Sequence, residues 1–147
     1  MNFKKLLTAV LAVGLVVWMA PLAGAATLYV KPGGNDANDG LSWDTAKQTI
    51  QAAVDAAGSN GLVLVTNGTY VLTGQVTVSN AITVRSVNGP DYTVVDGNGR
   101  VTSNRVFYLN EGCVLQGLTI CNGLAIGAPP FLHALVAGCI ATGPKMP

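Results

Sequence analysis

From Gly61 onward the chain is a succession of short apolar runs with a period of two. Leu62–Val65 (LVLV), Tyr70–Leu72, Val76–Val78, Ile82–Ser86, Thr93–Val95, Arg105–Leu109 and Val114–Ile120 are rich in Val, Ile, Thr and Tyr, and Asn, Gly or Asp closes nearly every one. That pattern predicts strands joined by tight turns. A further strand, Thr27–Val30 (TLYV), precedes them. One segment has a different period. Thr45–Ala57 (TAKQTIQAAVDAA) places Ala46, Ile50, Ala53, Val54 and Ala57 on one helical face and turns Lys47, Gln48, Gln51 and Asp55 away from it. Asp44 is the expected N-cap and Gly58 the stop. The apolar face is mostly Ala, so the helix should lie close against a neighbour, as a cap on the open end of a sheet would.

Spacing chooses between all-β architectures. Leu64 and Val84 are 20 residues apart, and Val84 and Tyr108 are 24 apart. A repeat of about 20 to 25 residues holding three short strands suits one coil of a parallel β-helix, in which each strand stacks on its equivalent in the next coil. A sandwich predicts longer strands and two-residue hairpin turns. The expected fold is therefore an all-β parallel solenoid of about three coils over residues 61–123. Residues 26–60 supply the first strand, a loop and a capping helix. Ala81–Gly99 is its most regular coil, with Asn88-Gly89-Pro90 and Asp96-Gly97-Asn98-Gly99 at the corners.

The two ends read differently. Lys4 and Lys5, the apolar run Leu6–Trp18, Pro21 and the small residues Ala23-Gly24-Ala25 have the form of a cleaved signal over residues 1–25. The apolar core is short for a spanning helix, so no membrane span is expected once it is removed, and the destination is secreted or cell-surface. Without it, six basic residues (Lys31, Lys47, Arg85, Arg100, Arg105, Lys145) face seven acidic ones, a net charge of −1. No basic stripe marks a nucleic-acid binder. After Gly123 the period-two signal ends, and residues 124–147 form an atypical apolar tail containing Pro129-Pro130. A solenoid end needs a polar cap, which favours a reading frame cut or shifted near Gly123 over a native terminus. An uncapped last coil would invite self-association through its strand edges.

Candidate chemistry is sparse. The loop Lys31–Gly40 (KPGGNDANDG) carries the Asn and Asp residues of a calcium loop. Counted from Asp36, however, the sixth and twelfth positions are Leu41 and Lys47, so the EF-hand pattern fails. Only a looser calcium site of carbonyls and carboxylates remains open; otherwise no metal or cofactor is assigned. Leu41-Ser42-Trp43 is expected to tuck the loop onto the core. Export implies an oxidising compartment, yet Cys113, Cys121 and Cys139 are odd in number, and Cys113 and Cys121 are read as small apolar strand residues. Asp91, Asp96, Arg85 and Arg100 cluster around the Ala81–Gly99 turns, but Asp after Gly-Pro and Asp before Gly are ordinary turn residues. No nucleophile–base spacing accompanies them, so no catalytic residue is assigned. Asn67-Gly68-Thr69 fits a glycosylation sequon and equally a turn, and is read as a turn. Tyr29, Tyr70, Tyr92 and Tyr108 would stack on sugar rings if they lined one outer face, and are otherwise half-buried strand residues.

YVKPGGNDANDGLSWDTAKQTIQAAVDAA, GLVLVTNGTYVLTGQVTVSNAITVRSVNGPDYTVVDGNG and RVFYLNEGCVLQGLTICNG together resemble the N-terminal portion of exported bacterial right-handed parallel β-helix proteins of the pectate-lyase-like group. The resemblance covers about residues 28–123. It implies a right-handed coil, a polysaccharide partner, and an outer-face site carried by later coils. The group includes lyases, hydrolases and non-enzymatic adhesins, so the resemblance implies a carbohydrate-related scaffold, inactive by itself, or else a surface adhesin.

Overall fold

The computed structural model describes residues 24–99, 105–123 and 140–142. The apolar leader, Arg100, His133, Cys139 and most of the tail lie outside the described residues. Ten strands and one helix follow in the order β1 (Thr27–Val30), α1 (Ile50–Ala57), β2 (Leu62–Val65), β3 (Gly68–Val71), β4 (Val76–Val78), β5 (Thr83–Ser86), β6 (Thr93–Asp96), β7 (Phe107–Leu109), β8 (Val114–Gln116), β9 (Thr119–Cys121) and β10 (Ile140–Ala141). They form three stacked sheets. Sheet A is β1-β2-β5-β8, sheet B is β3-β6-β9-β10 and sheet C is β4-β7. Every pair is parallel except β9–β10, which is antiparallel. The described residues are thus mostly β, with parallel sheets and the short helix α1.

Inward positions form continuous apolar rungs. Leu28, Val63, Val84 and Leu115 are register partners across sheet A, and the first three are fully buried. Ile50, Val54, Val78, Ile82, Val95 and Leu118 complete the core. The helix packs on β1, β2 and β4 through Ile50, Ala53, Val54 and Ala57, the face its sequence predicts. Polar groups inside are paired: Ser86 and Thr93 share a 2.7 Å hydrogen bond where the chain passes from β5 to β6, and Gly89 N–H donates to Ser86 Oγ. The corners carry left-handed asparagines, Asn60, Asn80, Asn98 and Asn122, a conformation Asn tolerates better than other side chains. Asn88 Nδ2 donates to Asn67 Oδ1 at 2.7 Å, joining successive corners.

The structure corrects the expected register. Val84 pairs with Leu115, not with Tyr108, which pairs with Thr77 in sheet C. Val114–Ile120 is two strands rather than one. Gly117, at φ 64°, turns the chain from sheet A to sheet B, and Leu118 drops into the core. A lone Gly in an apolar run is the signal for that corner. Cys121 is disulfide-bonded rather than a free apolar side chain, whereas Cys113 is a free thiol donating to Val78 O. The expected bare end is partly covered, since β10 closes the edge of sheet B.

The helix begins at Ile50, capped by Thr49 rather than Asp44. Residues before it are claimed by β1: Lys47 N–H donates to Tyr29 O and Lys31 N–H to Lys47 O, an extended bridge that a helix would break. Lys47 does not face away. It is buried, and its ammonium donates to Asp36 O and Asn38 O at 3.0 and 2.6 Å. Gln51 is also engaged, its amide spanning both Thr77 N–H and Thr77 O on β4. Tyr70 is buried, its hydroxyl donating to Thr66 O at 3.1 Å, and burial pushes its pKa above the usual phenol value. Tyr70→Phe should lower stability by about 1 kcal/mol, the worth of one hydrogen bond. The expected reading is a lower urea midpoint at unchanged slope.

Candidate functional site

Outward positions of sheet A form a second ladder. Tyr29, Leu64, Arg85 and Gln116 are register partners on β1, β2, β5 and β8, alternating with the buried rungs. Their side chains share the solvent face because successive strand residues point to opposite sides. Parallel stacking sets them one strand apart, about 4.8 Å. Trp43 arrives from the loop after β1. It does not tuck into the core. It remains 37 % exposed and stands edge-on against Tyr29, with ring centroids 4.5 Å apart and planes at 71°. Tyr29, Trp43, Leu64, Arg85, Val87 and Gln116 line a cleft of about 630 Å³.

The chemistry of this cleft is an aromatic pair beside a cation and an amide. Arg85 is exposed, and no ion pair or hydrogen bond among the described residues engages it. Its guanidinium offers a fork of donors suited to a carboxylate. Gln116 adds a neutral donor and acceptor, and the Tyr29–Trp43 pair offers apolar ring surface. The side chains that line the cleft include no carboxylate and no imidazole.

Other sequence candidates fall elsewhere. Asp96 lies in sheet B, and its carboxylate accepts from Asn98 N–H at 2.8 Å and Asn122 Nδ2 at 3.0 Å, which is turn chemistry. Asp91 is exposed and is not without a partner. The structure therefore separates Arg85 from the Asp residues with which the sequence groups it. The four tyrosines do not share a face: Tyr70 is interior, and only Tyr29 belongs to this cleft. In the Lys31–Gly40 loop, the Lys47 ammonium holds the Asp36 and Asn38 carbonyls, so a cation of the protein's own meets two of the oxygens a looser metal site would use. Among the described residues no group of three or more His, Cys, Asp or Glu side chains could hold a metal ion.

The sequence spacing matches Leu64 with Val84, whereas the structure pairs Val63 with Val84 and sets Leu64 beside Arg85 on the outer face. Their convergence depends on register, which single-strand patterns do not encode. Compared with known protein families, curated proteins and solved structures, the chain finds no match.

Proposed function

We propose that the chain is the N-terminal part of an exported right-handed parallel β-helix of about three coils, pectate-lyase-like, that binds carbohydrate on the outer face of sheet A and carries no catalysis of its own. The observation that supports this most directly is the Tyr29–Leu64–Arg85–Gln116 ladder beside Trp43. Sugar rings present apolar faces that stack on aromatic side chains, while their hydroxyl and carboxylate edges take hydrogen bonds. The cleft offers both at strand spacing. Arg85 selects for an acidic sugar, because bidentate charge-assisted hydrogen bonds to a carboxylate are about twice as strong as neutral ones.

In the chain from residue 26 onward, Trp43 is the sole tryptophan, so its fluorescence reports on the cleft directly. A uronic-acid oligosaccharide should change that emission saturably, and a neutral oligosaccharide of equal length should bind more weakly. Arg85→Ala should weaken the acidic ligand about tenfold, about 1.4 kcal/mol, and leave the neutral one unchanged. Equal affinities for both sugars in the parent and the variant would remove the reading.

A further inference from the structure

The N-terminal edges of the three sheets are treated differently. On β1, the outward backbone groups are satisfied by Gly40 and Lys47: Tyr29 N–H donates to Gly40 O at 2.8 Å, and Lys47 N–H donates to Tyr29 O at 2.9 Å. On β4, the Gln51 side chain takes the place of a missing strand, accepting from Thr77 N–H and donating to Thr77 O. The first strand of sheet B has no such device. β3 is the terminal strand of its sheet and pairs only with β6. Gly68 N–H and Leu72 N–H donate to Tyr92 O and Asp96 O, so alternation sends the N–H and C=O groups of Thr69 and Val71 the other way. Among the described residues no hydrogen bond engages those groups. They border a groove of about 560 Å³ whose other walls include Pro32, Gly33, Gln48 and Thr49. Its lining contains no charged side chain.

We propose that this groove accepts an extended, uncharged peptide segment that adds as a strand beside β3. The repeating donor–acceptor pattern of Thr69 and Val71 matches an extended backbone, the general basis of strand addition. The four residues of β3 set the length of the segment at about four residues. The groove volume lies within the range of about 300–1,000 Å³ usual for ligand clefts. Absence of charge in the lining excludes ion pairing as the source of affinity, so backbone hydrogen bonds supply it. The site is separate from the sheet A cleft and stands or falls independently of carbohydrate binding.

The test uses the purified chain and an acetylated, amidated hexapeptide of sequence Ser-Val-Thr-Val-Ser-Thr. Amide hydrogen exchange followed by NMR should show new protection at Thr69 and Val71. Gly68, Tyr70 and Leu72, already in the ladder with β6, should be unchanged. Two further peptides, N-methylated at odd or at even positions, separate backbone pairing from adhesion. An added strand turns only alternate N–H groups toward β3, so one should bind about tenfold more weakly and the other as the parent does. Equal binding by all three peptides, unchanged exchange at Thr69 and Val71, or protection by a neutral hexasaccharide but not by the peptide would each overturn the proposal. Because the N-methyl series alters only the ligand, the result does not depend on a variant protein folding.

Discussion

Val84→Asp is expected to abolish cooperative folding, and Arg85→Asp, one residue on, to leave stability within about 0.5 kcal/mol of the parent chain. Val84 is fully buried, midway along the rung that runs from Val63 to Leu115. A carboxylate there would meet only apolar neighbours. It would either stay ionised without solvent or counterion, or take up a proton and leave a carboxylic acid with unmade hydrogen bonds. Either choice costs several kcal/mol, against a total stability of about 5–15 kcal/mol for a single domain. The loss of apolar burial adds about 2 kcal/mol. Arg85 points to solvent from the same strand, so the same charge there costs little. Thermal unfolding followed by circular dichroism separates the two: a sigmoidal transition for Arg85→Asp and a featureless slope for Val84→Asp. A normal transition in Val84→Asp would mean that the two faces of β5 are exchanged.

That contrast rests on the part of the fold most legible in the sequence. Strands β1, β2 and β4 have the limits their patterns predict, because β-branched runs ended by Gly or Asn leave little choice. What single-strand patterns could not supply was register. Matching Val84 to Tyr108 assumed a nearly constant repeat, whereas the register partners Val63 and Val84 are 21 residues apart and Val84 and Leu115 are 31 apart. The corner at Gly117 was hidden because Leu118, the corner's first side chain, is itself apolar and buried.

The candidate site was half legible for the same reason. Tyr29 and Arg85 are outward by alternation, but they are 56 positions apart in sequence and meet in the cleft only through β2. Trp43 misled the reading, since a large aromatic ring after a polar loop is more often interior than not. Here Trp43 packs edge-on against Tyr29 on the outer face of sheet A and stays partly exposed. Lys47 shows the converse. Helical periodicity assigned it to solvent, but its backbone bridges β1 and its ammonium is enclosed by loop carbonyls. Local periodicity loses to a tertiary strand bridge whenever the two claim the same residue.

Replacing Asp36 should undo the loop and the helix entry together. Its carboxylate accepts from Gln48 N–H, Thr49 N–H and Thr49 Oγ1, each at 2.8 Å. Two of those are backbone donors just before the helix, and Thr49 in turn caps Ala52 N–H at 3.2 Å. Asp36 thus positions the residue that starts α1, and its own carbonyl holds the Lys47 ammonium. Asp36→Ala leaves these donors to water and is expected to cost about 1–2 kcal/mol, comparable to losing a helix cap. The same bonds set a pH dependence. Partial burial raises the carboxyl's pKa, but donation from Thr49 and Gln48, with the nearby Lys47 charge, outweighs it and holds the group below the ordinary carboxylate range. A carboxyl whose pKa is lowered by folding contributes stability that is complete above its unfolded value, about 3.9, and is lost as pH falls through the lower folded value. Unfolding free energy measured in urea between about pH 6 and pH 2.5 should therefore drop most below about pH 4. Asp36→Asn should lie below the parent chain at pH 6 and converge on it in acid. Parallel curves for the two proteins would show that the Asp36 charge does not hold the loop.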